Sequence, residues 1–225
     1  MVSRESKTSS HGSEKTGGSA PRERGRREQK KGKKSAPLDE TALRDLALSY
    51  VARFATTAAK VEGYLARKIR ERGVAEDADG RMGELDVTGL VTRLVELGYI
   101  DDEAFARGRS RDLTQRGYGK RRVEQALWAA GIEETTRADN APDEAAGRRA
   151  ALRLAKKRGF GPFASAPIDE DEPREAVHKR REKQVAAMLR AGHLYDHIQF
   201  ILEAADADAV EDWVIEAEED ARDEF

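Results

Sequence analysis

The chain has 225 residues, of which 37% are charged and 38% hydrophobic, with a formal net charge of −2. It contains no cysteine, which excludes disulfide frameworks, thiolate metal sites and cysteine nucleophiles. Its longest uncharged run is the ten residues from Gly159 to Ile168, about half of the roughly 20 that a membrane span needs. With no apolar signal core near Met1 either, the expectation is a soluble, cytoplasmic protein without a membrane partner.

Charge is sorted along the chain. Residues 1–36 carry eleven Lys/Arg against four Glu, and residues 203–225 eleven Asp/Glu against one Arg. The segment 1–37 has almost nothing apolar to bury and so cannot offset its ordering entropy; it reads as a disordered basic tail. Its run Arg22 to Lys34 either touches phosphates or merely solubilises. Downstream the period is helical. Leu43, Leu46, Ala47, Tyr50, Val51 and Phe54 make one apolar stripe. Val61, Tyr64, Leu65 and Ile69 make the next, stopped by Gly73. Val87, Leu90, Val91, Leu94 and Leu97 make a third, closed by Gly98. Asp101 caps a fourth helix reaching about Arg116, with Asp102 and Glu103 in its first turn. Gly117-Tyr118-Gly119 breaks it. Lys120 begins a fifth, with Val123, Ala126, Leu127 and Ala130 inward and Gly131 as its stop. In the acidic stretch 205–225, Val210, Trp213, Val214 and Ala217 keep helical spacing. That last amphipathic helix either docks on the body or imitates a polyanion, and a tryptophan there favours docking.

An apolar residue, a second four on and a closing glycine recur as Leu65–Ile69–Gly73 and Val123–Leu127–Gly131, with a looser copy at Val185–Leu189–Gly192. Each closes a helix rich in Lys and Arg. Helices before (about 39–54, 101–115, 142–158) and after (about 85–97, 133–139, 194–204) complete three tandem three-helix repeats, 38–98, 99–140 and 141–204. No stretch alternates as a strand does, so the expected class is all-α. The third repeat is interrupted by the Pro/Gly loop Gly159 to Pro173.

The segment GYIDDEAFA, Gly98 to Ala106, followed by Arg107, Arg109, Arg111, Gly117 and the basic helix ending at Gly131, resembles the RecX family of bacterial recombination regulators. The Leu43–Phe54 helix leading into Thr56-Thr57 and KQVAAMLRAGHLYDHI, Lys183 to Ile198, add weaker matches. The likeness covers residues 38–204. Departures are the long Gly159–Pro173 insertion and Gly192-His193, where many relatives continue Gly-Phe. The resemblance implies an elongated, curved array of three three-helix repeats. It also implies a protein that binds the RecA recombinase filament on single-stranded DNA and modulates, mainly by inhibition, its ATPase and strand exchange in DNA repair and the SOS response.

The physical basis is that a repeat array presents an extended surface able to track a polymer. Arg107 and Arg111 share a helix face, Lys120, Arg121 and Arg122 follow at a helix start, and Lys179, Arg180, Arg181 and Lys183 repeat the feature. These nine are the candidate contacts with partner and nucleic acid; the competing reading is a solvated face with i, i+4 pairing. Gly98 (turn), Tyr99 and Phe105 (packing), Asp101 (cap), Gly117 and Gly131 read as structural. No catalytic residue and no cofactor is expected. His193 and His197 have metal-ligand spacing, but the segment lacks the glutamate of a metalloprotease and no third ligand stands out. Gly119-Lys120 lacks the rest of a phosphate loop. A stand-alone helical DNA-binding protein is the alternative function, and a monomer is favoured because no apolar stripe is left over.

Overall fold

The structure is a computed structural model that describes residues 36–76, 79–81, 83–164 and 173–223. The expected disordered tail lies outside these residues but for its last two, as does 165–172 of the Gly159–Pro173 loop. The described residues form ten α-helices: α1 Glu40–Val51, α2 Ala58–Arg72, α3 Val87–Glu96, α4 Asp102–Gln115, α5 Lys120–Trp128, α6 Glu134–Asp139, α7 Glu144–Arg158, α8 Arg174–Arg190, α9 Tyr195–Glu203 and α10 Ala207–Asp223. Among the described residues there is no strand; Leu38 and Val74 form an isolated parallel bridge. No described helix is long and apolar enough to cross a membrane.

Helix starts repeat more strictly than the stripes do. The side chains of Asp39, Asp101 and Asp143 accept from the amides of Ala42, Ala104 and Ala146 at 2.7, 2.7 and 2.6 Å. In each case an acidic residue, Glu40, Asp102 or Glu144, comes next. α1, α4 and α7 therefore begin on the same two-residue device, a capping carboxylate and a second carboxylate at the positive end of the dipole.

Burial falls into three clusters along the chain. Leu43, Ala47, Val61, Leu65, Val91 and Leu94 fill the first. Ala106, Leu113, Val123, Leu127, Ala130 and Ile132 fill the second. Ala151, Ala155, Met188, Ile198, Ile201 and Val210 fill the third. Four expectations are corrected. Phe54 is exposed because α1 stops at Val51 and the stripe ends with it. Tyr99 and Leu97 are exposed, and Ile100 is buried in their place, because Gly98 at φ +73° turns the chain before the next cap. Leu189 is exposed while Met188, four residues before Gly192 as Leu127 is before Gly131, is the buried one.

The clusters are joined by backbone. α5 starts against the end of α8: the Gly119 amide donates to the Ala191 carbonyl at 2.9 Å and Arg121 to Gly192 at 3.1 Å. The end of α5 in turn meets the start of α2, where the Thr57 hydroxyl donates to the Ala130 carbonyl at 2.6 Å. At the α5–α8 joint, unpaired N–H groups at one helix start thus meet unpaired carbonyls at another helix end. The approach demands glycine. A Cβ on Gly192 (φ +88°) would lie 2.3 Å from the Arg122 nitrogen, and one on Gly131 (φ +77°) 2.3 Å from the Ala59 Cβ.

The acidic C-terminal stretch is helical and docked on α7. Val210, Val214 and Ala217 are buried, and the Trp213 ring stacks on Phe200 with centroids 4.5 Å apart.

Candidate nucleic-acid interface

The nine candidate cations are not brought to one place. Arg107 and Arg111, on the exposed face of α4, line a groove of about 560 Å³ whose far wall is α7, which adds Arg149 and Arg153. Gly117 lets the walls approach: a Cβ there would stand 3.4 Å from the Leu154 nitrogen. Arg153 is held by the Thr114 and Gln115 carbonyls at 3.3 and 2.8 Å, at the end of α4. Arg149 pairs with Glu218 of α10 at 2.8 Å and Arg107 with Glu103 at 3.3 Å. Asp139 and Asp143 also line the groove. Arg149 and Arg153 are 38 or more residues from Arg111, so periodicity within one helix had no way of finding them; the basic content of α7 was the only signal.

Lys120, Arg121 and Arg122 diverge around the start of α5. Lys120 faces a small recess with Glu144, His193 and His197. Arg121 faces a different one containing Trp128 and Arg137. Arg122 donates to the Gln125 side chain at 2.8 Å. On α8, Lys179, Arg180 and Lys183 line a third recess of about 610 Å³, where Arg158 of α7 joins them. Arg181 points elsewhere, toward Val185, Leu189 and Tyr195, and pairs with Glu203 at 2.5 Å.

The structural residues have clear tasks. Asp101 caps α4. Asp102, beside it, accepts the Ala58 amide of α2 at 3.0 Å; burial raises its pKa, a shift the amide opposes and the nearby Asp101 and Glu133 charges reinforce. Phe105 is half-buried against the second cluster, with the Lys60 ammonium 4.5 Å above its ring. Burial lowers the pKa of Lys60, and the Arg109 charge lowers it further. Gly98, Gly117 and Gly131 all follow helices with positive φ.

The two histidines go to packing. The His193 ring is buried, with Nε2 3.1 Å from the Gly117 carbonyl, which makes Nε2 the protonated nitrogen and ties the α8–α9 turn to the α4–α5 turn. Burial lowers its pKa to about 4, although the carbonyl pulls the other way. His197 Nε2 sits 3.1 and 3.2 Å from the two Glu144 oxygens, and its ring meets Trp213 edge-on at 5.3 Å. Burial alone would raise the pKa of Glu144; hydrogen bonds and charge from Arg148 and His197 outweigh it and hold the carboxyl below its usual range. Among the described residues no group of three or more His, Cys, Asp or Glu is placed to hold a metal ion.

Comparison with known proteins agrees with this architecture. Residues 101–139 match the family model described as RecX, second three-helix domain. The chain is 29% identical over 164 residues to "Regulatory protein RecX" of Myxococcus xanthus (strain DK1622), covering 71% of this chain and 83% of that protein. The fold superimposes on the crystal structure of RecX from Lactobacillus salivarius with a TM-score of 0.53, at 18% identity, over 72% of this chain and 94% of that one.

Proposed function

We propose that this chain, which is similar to RecX regulatory proteins in its second three-helix unit, in sequence and in fold, is a member of that family and regulates a RecA recombinase by docking on the recombinase filament formed on single-stranded DNA. Docking slows ATP hydrolysis and strand exchange, and the protein acts as a cytoplasmic monomer that makes and breaks no bonds itself. The observation that carries the reading is the α4/α7 groove, where four guanidinium groups, those of Arg107, Arg111, Arg149 and Arg153, flank one channel. Guanidinium is planar, always charged and suited to phosphate and carboxylate alike, so one groove serves both components of a nucleoprotein filament. The recess holding Lys179, Arg180 and Lys183 extends the same chemistry to α8.

The test is ATP hydrolysis by the cognate recombinase on single-stranded DNA, titrated with this protein at two salt concentrations. Inhibition is expected, weaker at the higher salt because released counterions drive part of the binding. Reversing Lys120, Arg121 and Arg122 together to Glu should abolish inhibition while helicity stays; unchanged inhibition would remove that cluster from the interface. The alternative, a stand-alone DNA-binding protein, predicts tight binding to bare DNA that falls steeply with salt and no effect on the recombinase beyond competition for its strand.

A further inference from the structure

The two tryptophans of the chain are treated in opposite ways. Trp213 is stacked on Phe200, edged by His197 and covered by the Arg148 guanidinium at 4.7 Å. Trp128, in the last turn of α5, is 68% exposed, more than any other large hydrophobic residue described. Among the described residues no aromatic ring and no cation lies over its indole. A single exposed apolar side chain is ordinary, but this one is not isolated. It lines a recess of about 250 Å³ with Arg121, Glu124, Gln125 and Arg137.

The recess is partly built in advance. Arg121, Gln125 and Trp128 stand at i, i+4 and i+7 on one face of α5. Arg137 comes from α6, its guanidinium anchored by an Nη1 donation to the Ile132 carbonyl at 2.6 Å, while its buried Nε has no acceptor. Two guanidinium groups stand against one carboxylate, with Lys120 and Arg122 on the same helix. An uncovered indole beside excess positive charge is what single-stranded nucleic acid binds: every base has a face to stack, and the phosphates that follow meet the cations. A duplex keeps its base faces stacked inside and offers the ring nothing.

Resting on the nucleic-acid half of the proposed function, we propose that Trp128, with Arg121 and Arg137, is a stacking platform for an unpaired base of single-stranded DNA. The ring supplies affinity without sequence preference, and the arginines hold the phosphates on either side of the stacked base.

The test uses the full chain and a labelled oligothymidylate, with a duplex of equal length beside it. Oligothymidylate should quench tryptophan emission of the unaltered protein, and this quenching should disappear in Trp128→Phe, where Trp213 alone emits. Trp128→Ala should weaken oligothymidylate binding by roughly 5- to 150-fold, while Trp128→Phe, which keeps a stacking ring, loses less. Duplex binding should stay unchanged in both, and circular dichroism should report the same helix content, since the ring is exposed. Failure of the unaltered chain to bind oligothymidylate, or equal binding by Trp128→Ala, would overturn the proposal. Loss of recombinase inhibition in Trp128→Ala with oligothymidylate affinity intact would also overturn it, by assigning the ring to a protein contact. Failure of the regulatory reading is distinct: the recombinase then hydrolyses ATP unimpeded by the unaltered protein, whatever Trp128 does to oligothymidylate.

Discussion

His193 shows how one side chain can make a structural joint sensitive to acid. Its ring is buried and neutral, donating to Gly117 across 76 residues of sequence. Burial lowers its pKa to about 4, whereas in the unfolded chain it titrates near 6.5. Between those values the unfolded state binds more protons, so stability falls as pH drops from about 6.5 to 4, by ~3 kcal/mol if the joint opens only on unfolding. Urea denaturation at pH 7 and pH 5 should show the loss. His193→Phe, which puts a ring that cannot be protonated at that position, should flatten this part of the pH profile. A slope unchanged by the substitution would point to other groups, with Asp102 and Glu144 the first to examine.

At the scale of helices, the glycines separate into two kinds that look alike in sequence. Gly98 and Gly192 both follow a helix with positive φ. A Cβ on Gly98 meets nothing within 4 Å, whereas on Gly192 it meets the backbone of Arg122. Gly98→Ala should therefore cost only the conformational strain, about 1–2 kcal/mol. Gly192→Ala adds overpacking against an unyielding neighbour, of order 1–3 kcal/mol more. Chemical denaturation of the two variants checks the difference, and equal losses would mean that the α5–α8 joint is softer than its geometry. Periodicity and glycine stops made the helices legible to within a few residues, and the Asp101 cap as well. The matching caps at Asp39 and Asp143 are equally local, and they show in sequence once the Asp-acidic pair is sought. The carbonyl–amide joints were hidden, since backbone pairing between distant segments leaves no side-chain signature. Tyr99 and Ile100 exchanged roles because a positive-φ turn resets which face of the chain is inward.

For the molecule as a whole, the sorted charge has a definite fate at its C-terminal end. α10 lays Glu211, Glu216 and Glu218 against Lys156, Arg148 and Arg149 of α7, so part of the basic face of α7 is already neutralised from within. These are surface pairs, worth under ~1 kcal/mol each; the anchoring is apolar, through Val210 with no exposed surface and the Trp213 stack. Val210→Ala should cost about 2 kcal/mol, and Glu218→Gln little, with thermal denaturation as the check. If Glu218→Gln proved the costlier change, charge and not burial would be what seats the helix. The dispersal of the nine candidate cations over separate recesses was not legible either: a helix turns 100° per residue, so adjacent Lys120, Arg121 and Arg122 cannot share a direction. Arg107 and Arg111, four apart, do share one, and there the spacing rule succeeded.

The seam between α5 and α8 also decides how this protein can grip an anion. In many folds the first amides of a helix form a rigid cradle for a phosphate. Here the Gly119 and Arg121 amides are already given to the Ala191 and Gly192 carbonyls, and the Ala58 amide of α2 to Asp102. With those donors engaged, any anion met at the starts of α5 and α2 is left to the long side chains reaching out from them. Under the proposed function, such a grip follows a strand at any register and lets go one arm at a time.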